Sequence, residues 1–191
     1  VGDRNLFGYG KDLWVGAEAS RVKKRYEACL TEPRIFNTKI SGTYDVFWQS
    51  EEDFNQNFSL VTTGYNLGFV RRYGKELLTS LSFRYERRNQ SIIDQELQDQ
   101  IDADKSEEDI LEERETLKPR SLIVVSPNIT LDRRDSFTRP RKGYFAQYTM
   151  DISKGILNSR DVDNFIKYRL DCRAYVTPWE RVTLAWMGRA G

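Results

Sequence analysis

From residue 165 to 174 the chain reads Phe-Ile-Lys-Tyr-Arg-Leu-Asp-Cys-Arg-Ala, a polar or charged residue falling at every second place. A strand sends successive side chains to opposite faces. Ile166, Tyr168, Leu170, Cys172, Ala174 and Val176 therefore share one face, and Lys167, Arg169, Asp171 and Arg173 share the other. A soluble sheet can also be polar on one side, so a single segment does not name its surroundings. Residues 144–152 and 40–48 repeat the same dyad. Each is close to the roughly 9–11 residues that a tilted strand needs to cross a bilayer. The repetition predicts an all-β fold, an antiparallel transmembrane β-barrel.

Composition agrees with that reading and removes others. Only 39% of the 191 residues are hydrophobic, and no run approaches the ~18 apolar residues of a membrane helix. A barrel survives this test because it shows lipid only alternate residues. The aromatic share of 13% fits interfacial girdles, although a β-sandwich could match it. Histidine is absent, which removes the usual general base, the Ser-His and Cys-His nucleophile pairs and most catalytic zinc sites. The carboxylates show no spacing that singles out a pair, and no phosphate-loop or dinucleotide glycine pattern occurs. The expectation is a protein that is not an enzyme, with no catalytic, cofactor-binding or metal site and no nucleic-acid partner. Cys29 and Cys172 lie far apart in strand-like segments; they read as two small buried or lipid-facing side chains, a disulfide being unpredictable from spacing.

Residues 1–191 read as one domain, with about nine strands near 13–19, 26–31, 40–49, 59–70, 77–85, 122–131, 144–152, 165–176 and 182–188. Glycine-bearing or proline-bearing turns are expected at 5–10, 33–39, 71–76, 132–143 and 178–181, and a loop over 153–164. In the strand from Leu77, the series Leu77, Thr79, Leu81, Phe83 and Tyr85 is assigned to lipid. Beyond Arg87 the period changes to a short amphipathic helical pattern at Ile93, Leu97 and Ile101. Residues 91–117 hold 11 acidic and 2 basic residues, a local charge of −9 against +1 for the whole chain, so the remainder carries +10. Such a segment cannot sit at bilayer depth and is read as an extracellular loop. The first residues look like a strand end and a turn with no signal peptide, so the chain is expected to be part of a longer protein or to lack its export sequence.

Two sets of residues stand out. The run 131–143, Leu-Asp-Arg-Arg-Asp-Ser-Phe-Thr-Arg-Pro-Arg-Lys-Gly, reads as a structural turn in which Asp132 and Asp135 pair with Arg133 and Arg134, while Pro140 and Gly143 set the backbone. The other reading is a site for phosphate or lipid headgroups. Arg84 and Glu86, with Lys167, Arg169, Asp171 and Arg173, would form a charged lumen wall, either mutually paired or used for selectivity.

Three of these motifs carry a resemblance. Residues 3–10, Asp-Arg-Asn-Leu-Phe-Gly-Tyr-Gly, resemble the turn near the start of the barrel in the BamA/TamA family of outer-membrane assembly proteins. Residues 30–36, Leu-Thr-Glu-Pro-Arg-Ile-Phe, are similar to that family's next strand end. The 131–143 run, with Asp132, Arg134, Asp135, Pro140 and Gly143, resembles its mid-barrel periplasmic turn, Asp-x-Arg-Asp followed by Pro-x-x-Gly. The three occur in the family's order across nearly the whole chain.

The resemblance implies the central part of a 16-stranded barrel, roughly strands three to eleven, in the outer membrane of a Gram-negative bacterium. It implies outer-membrane lipid, unfolded barrel-protein clients, POTRA domains of the same chain and accessory assembly subunits as partners. It implies a mechanism without covalent chemistry, in which a weak seam opens and a client strand pairs with the exposed edge. The family's seam and its Val-Arg-Gly-Phe/Tyr loop motif are absent from this sequence. A two-partner secretion transporter, a passive porin and a soluble β-sandwich are the alternatives.

Overall fold

The computed structural model describes residues 1–53, 58–93, 117–158, 163–179 and 182–191. These form one sheet of ten strands, each antiparallel to its chain neighbour: β1 (Gly2–Leu6), β2 (Lys11–Ala19), β3 (Lys23–Glu32), β4 (Ile40–Asp53), β5 (Phe58–Tyr73), β6 (Leu77–Ile92), β7 (Arg120–Asp132), β8 (Gly143–Leu157), β9 (Phe165–Trp179) and β10 (Val182–Ala190). Strand order follows the chain without crossovers. Among the described residues β1 and β10 do not pair with each other, so the sheet is an open, curved wall.

Ten strands stand where nine are expected, because Gly2–Leu6 also pairs, against β2. Two further boundaries are corrected. The 153–164 loop begins later, since β8 continues to Leu157, and the 178–181 turn is overrun by β9, which continues through Pro178 to Trp179. The register between β9 and β10 shifts at this point, between Val182 and Leu184, the kind of irregularity at which a strand accommodates proline. Pro127, inside β7, is accommodated without a register shift. The ladder to β8 skips Ser126 and Pro127, and the Ser126 hydroxyl donates to Asp151 Oδ1 at 2.6 Å across the gap. Nearly all of the helical pattern at 93–101, and residues 94–116 of the acidic segment, lie outside the described residues.

The two faces differ in the sense opposite to that of a soluble protein. In-register rows such as Trp14, Cys29, Asp45, Asn66 and Arg84 run across the concave side. That side encloses a cavity of about 940 Å³, lined by residues of β2 through β9. Only Cys29, Leu122 and Val124 are buried hydrophobics among the described residues, whereas Tyr65, Ile129, Tyr148, Ile166, Tyr168, Leu170, Val176 and Trp186 are exposed on the convex side. A water-soluble sandwich would bury that series against a second layer. Here it needs a hydrocarbon solvent.

Strand length marks where the hydrocarbon stops. β5 and β6 have 16 residues each, roughly 50 Å of contour and about 40 Å of height at barrel tilts, more than the ~25 Å of a lipid band. On β6 the convex series is uncharged from Leu77 to Tyr85 and meets its first charge at Arg87. Lys24, Glu52 and Arg87 mark the same boundary on β3, β4 and β6. Beyond it the strands continue into water, which is why β6 runs on to Ile92. The convex surface carries aromatic pairs between neighbouring strands: Tyr26 with Trp48, Tyr65 with Tyr85 and Tyr148 with Tyr168, at 5.5, 5.2 and 6.4 Å between ring centroids. Such pairs stabilise a sheet by about 0.5–1.5 kcal/mol each beyond their area.

Candidate functional site

The concave wall is polar and its charges are neutralised locally. Glu86, only 7% exposed, lies 2.8 Å from Arg88 and 3.5 Å from Arg84. Asn66 donates to Asp45 at 3.1 Å in the adjacent row. Asp151 receives Arg169 at 2.8 Å as well as the Ser126 hydroxyl. Asp171 takes Arg173 at 2.8 Å and Arg189 of β10 at 3.3 Å. Thus Arg84, Arg169, Asp171 and Arg173 are tied into ion pairs, while Lys167 stands in register with Asp151, whose carboxylate is engaged by Arg169. Opposite charges two residues apart on one strand or on neighbouring strands remove the cost of lining a confined space with unpaired ions.

Among the apolar residues of this wall, two phenylalanines stand against arginine side chains. Phe47 lies over Gly64 of β5, where a Cβ would collide with the ring, and Arg25 stands over its face at 5.8 Å. Phe145 of β8 is held between two guanidinium groups, Arg134 at 5.0 Å and Arg173 at 5.3 Å from the ring centroid. The Phe145 stack connects the wall to the turn between β7 and β8.

That turn is folded back onto the wall. Arg134, 8% exposed at its side chain, makes a bidentate pair with Asp132 at 2.8 and 2.6 Å, and its guanidinium also stands 5.1 Å from the Phe137 ring. The expected pairing of both aspartates with both arginines is corrected in two respects. Arg133 reaches Glu76, in the neighbouring turn between β5 and β6, at 2.6 Å, and donates to the Tyr144 hydroxyl at 3.1 Å. Asp135 instead accepts the backbone N–H groups of Arg141 and Lys142 at 2.9 and 3.2 Å. Those backbone bonds, Arg141 first, hold its carboxyl below the ordinary carboxylate range. Since the folded value is the lower one, this contribution is complete above the unfolded value of about 3.9 and is lost as pH falls through the folded one. Pro140 sits half-buried before Arg141, whose carbonyl accepts the Thr177 hydroxyl of β9 at 2.7 Å. Gly143 has φ +104, and a Cβ there would run into the Arg133 carbonyl.

The structure therefore brings Asp132, Arg134, Asp171 and Arg173 into one network through Phe145. Glu76, Tyr144, Phe145, Asp151, Thr177 and Arg189 belong to the wall and turn as well. Phe145 had a sequence signal, being the apolar member of the inward series Phe145, Gln147, Thr149 and Asp151. Glu76 had none, because its partner is 57 residues away. Among the described residues no group of three or more Cys, Asp or Glu could hold a metal ion.

A polar inner wall, an apolar outer band and short tied turns describe a membrane barrel of no particular lineage. The family model of the Omp85 superfamily domain matches residues 5–191. The chain belongs to the Omp85 superfamily. A search of curated proteins returns no match. Among solved structures the Omp85 chain is similar to the crystal structure of BamA from Haemophilus ducreyi lacking POTRA domains 1–3, with a TM-score of 0.61 and 11% identity over 98% of this chain. The chain spans 37% of the length of that structure, and at this identity the likeness is one of fold. Turn and wall are thus those of an Omp85 domain whose fold is like that of the BamA barrel.

Proposed function

We propose that this segment is the central wall of an outer-membrane barrel that assembles or inserts other barrel proteins in a Gram-negative bacterium. The observation that carries the reading is the Omp85 match over residues 5–191. An apolar convex face above a locally neutralised concave wall supports its placement in lipid. In this reading the segment performs no covalent step. Its convex band seats the barrel in lipid, its ion-paired lumen holds the wall's shape, and the 132–143 turn fixes adjoining hairpins while POTRA domains, accessory subunits and client strands act elsewhere on the full-length protein. A two-partner secretion transporter is the rival within the superfamily.

Depletion of the full-length protein tests the choice. The expected result is a joint fall of several unrelated outer-membrane barrels, at least several-fold, by quantitative proteomics of the membrane fraction. Loss of one exported soluble protein with normal barrel levels would favour the transporter. The acidic 91–117 segment is proposed to face the cell exterior, since its charge of −9 is excluded from the bilayer at several kcal/mol per ion. An epitope inserted at Ser106 should bind antibody on intact cells, and labelling that needs outer-membrane permeabilisation would reverse the orientation.

A further inference from the structure

One end of the sheet is basic: the turns at 5–10, 33–39, 71–76 and 132–143 hold ten Lys/Arg against three Asp/Glu. At the basic end each of the first two turns presents a phenylalanine to solvent from a backbone conformation that bulky residues avoid: Phe7 with φ +54, 84% exposed, and Phe36 with φ +48, 93% exposed. No local packing accounts for a strained, almost fully exposed aromatic side chain, and strain of this kind persists where something else requires it.

Between these turns lies a cavity of about 770 Å³. Its strand residues, Lys11, Glu32 and Tyr44, belong to the convex series, so it opens outward at the foot of the apolar band formed by Leu13, Leu30 and Val46. Ile35 folds against the bare backbone of Gly42, with the Tyr44 hydroxyl beside it, which roofs the cavity towards the band. Lys11 is neutralised by Glu32 at 3.1 Å. Arg34, exposed on the rim, has no ion-pair partner among the described residues. The lining thus carries one uncompensated cation, a hydroxyl donor and the aromatic rings of Tyr9 and Phe36, at the depth where lipid headgroups begin.

We propose that this cavity binds the phosphodiester headgroup of an anionic glycerophospholipid. Arg34 and the Tyr44 hydroxyl contact the phosphate, Phe36 and Tyr9 lie against the glycerol and upper acyl carbons, and the basic turns beside it favour a net-negative headgroup over a zwitterionic one. The inference rests on the proposed membrane placement but not on the assembly activity. A negatively charged protein segment is the competing occupant; the position of the cavity at the foot of an apolar band favours lipid.

The test uses the full-length protein reconstituted in vesicles of equal parts phosphatidylglycerol and phosphatidylcholine, re-extracted in mild detergent and weighed by native mass spectrometry. Retained phosphatidylglycerol should exceed phosphatidylcholine by at least five-fold. Arg34→Gln and Phe36→Asn should each reduce that preference at least three-fold, while Arg21→Gln at the opposite end leaves it unchanged. Asparagine tolerates positive φ, so Phe36→Asn is expected to unfold in urea no earlier than the parent, and lost preference therefore cannot be ascribed to misfolding. Equal retention of the two lipids by the parent, an unchanged preference in both variants, or an acidic polypeptide retained in place of lipid would each overturn the proposal. Partitioning of the full-length protein into detergent-free buffer would overturn the membrane placement itself, whereas membrane integration without headgroup preference would overturn only this site.

Discussion

Replacing Gly143 by valine in the full-length protein should remove most of the folded barrel. At φ +104 a side chain costs about 1–3 kcal/mol in backbone strain. The added Cβ also meets the Arg133 carbonyl and comes within 3.0 Å of Arg134 Cα, so the turn must move. Moving it pulls Arg134 off Asp132 and off the Phe145 ring, and Arg133 off Glu76. The total is expected to exceed about 3 kcal/mol, a large part of the ~5–15 kcal/mol by which domains are stable. Gly74 provides the control. Its φ is +64 but nothing lies within 4 Å of its missing Cβ, so Gly74→Ala should cost only about 1 kcal/mol. The heat-modifiable fraction on unboiled gels measures both. Normal folding of Gly143→Val with lost assembly activity would instead assign the 132–143 turn to a binding role.

The contrast between these two glycines shows which parts of the structure were legible in the sequence. Alternation is a local property, so Phe165–Trp179, Leu77–Ile92 and Gly143–Leu157 were each recognisable as strands, and parity alone put Lys167, Arg169, Asp171 and Arg173 together on one face of β9. Strand ends were not legible, because the charged residues Arg87, Arg88 and Lys154 look like loop boundaries when they are the part of a strand that has left the hydrocarbon. Gly2–Leu6 is too short for a period to appear in it. Partnership across the sheet was the least legible of all. Register is set by the whole ladder, so nothing near Arg133 named Glu76, and nothing near Arg134 or Arg173 named Phe145 as the ring between them. Sequence reasoning reaches the composition of the turn; the choice between Asp132 and Asp135 as the arginine partner depends on which carboxylate the backbone of Arg141 and Lys142 has already claimed.

Parity also makes the strongest quantitative demand. Leu170, 43% exposed, lies on the convex face in register with Tyr148 on β8 and Ala190 on β10, whereas Asp171 beside it points into the cavity side and is held by Arg173 and Arg189. If the convex face meets hydrocarbon, Leu170→Arg in the full-length barrel should cost roughly 2–4 kcal/mol near the midplane and progressively less towards an interface. Asp171→Asn keeps the size and one acceptor oxygen, and leaves two guanidinium groups facing a wet lumen in which water and counter-ions can screen them, so its cost should be well below that of Leu170→Arg. Urea titrations of both variants in lipid vesicles decide the matter. Equal costs, or a larger one at Asp171, would mean that the polar face is packed in a dry interior and the apolar one is open to water. That outcome would also remove the lipid-side cavity at Arg34 from the membrane boundary, since the row of Tyr44 runs through in-register pairs from Leu13 on β2 to Ile166 on β9, on the face of Leu170.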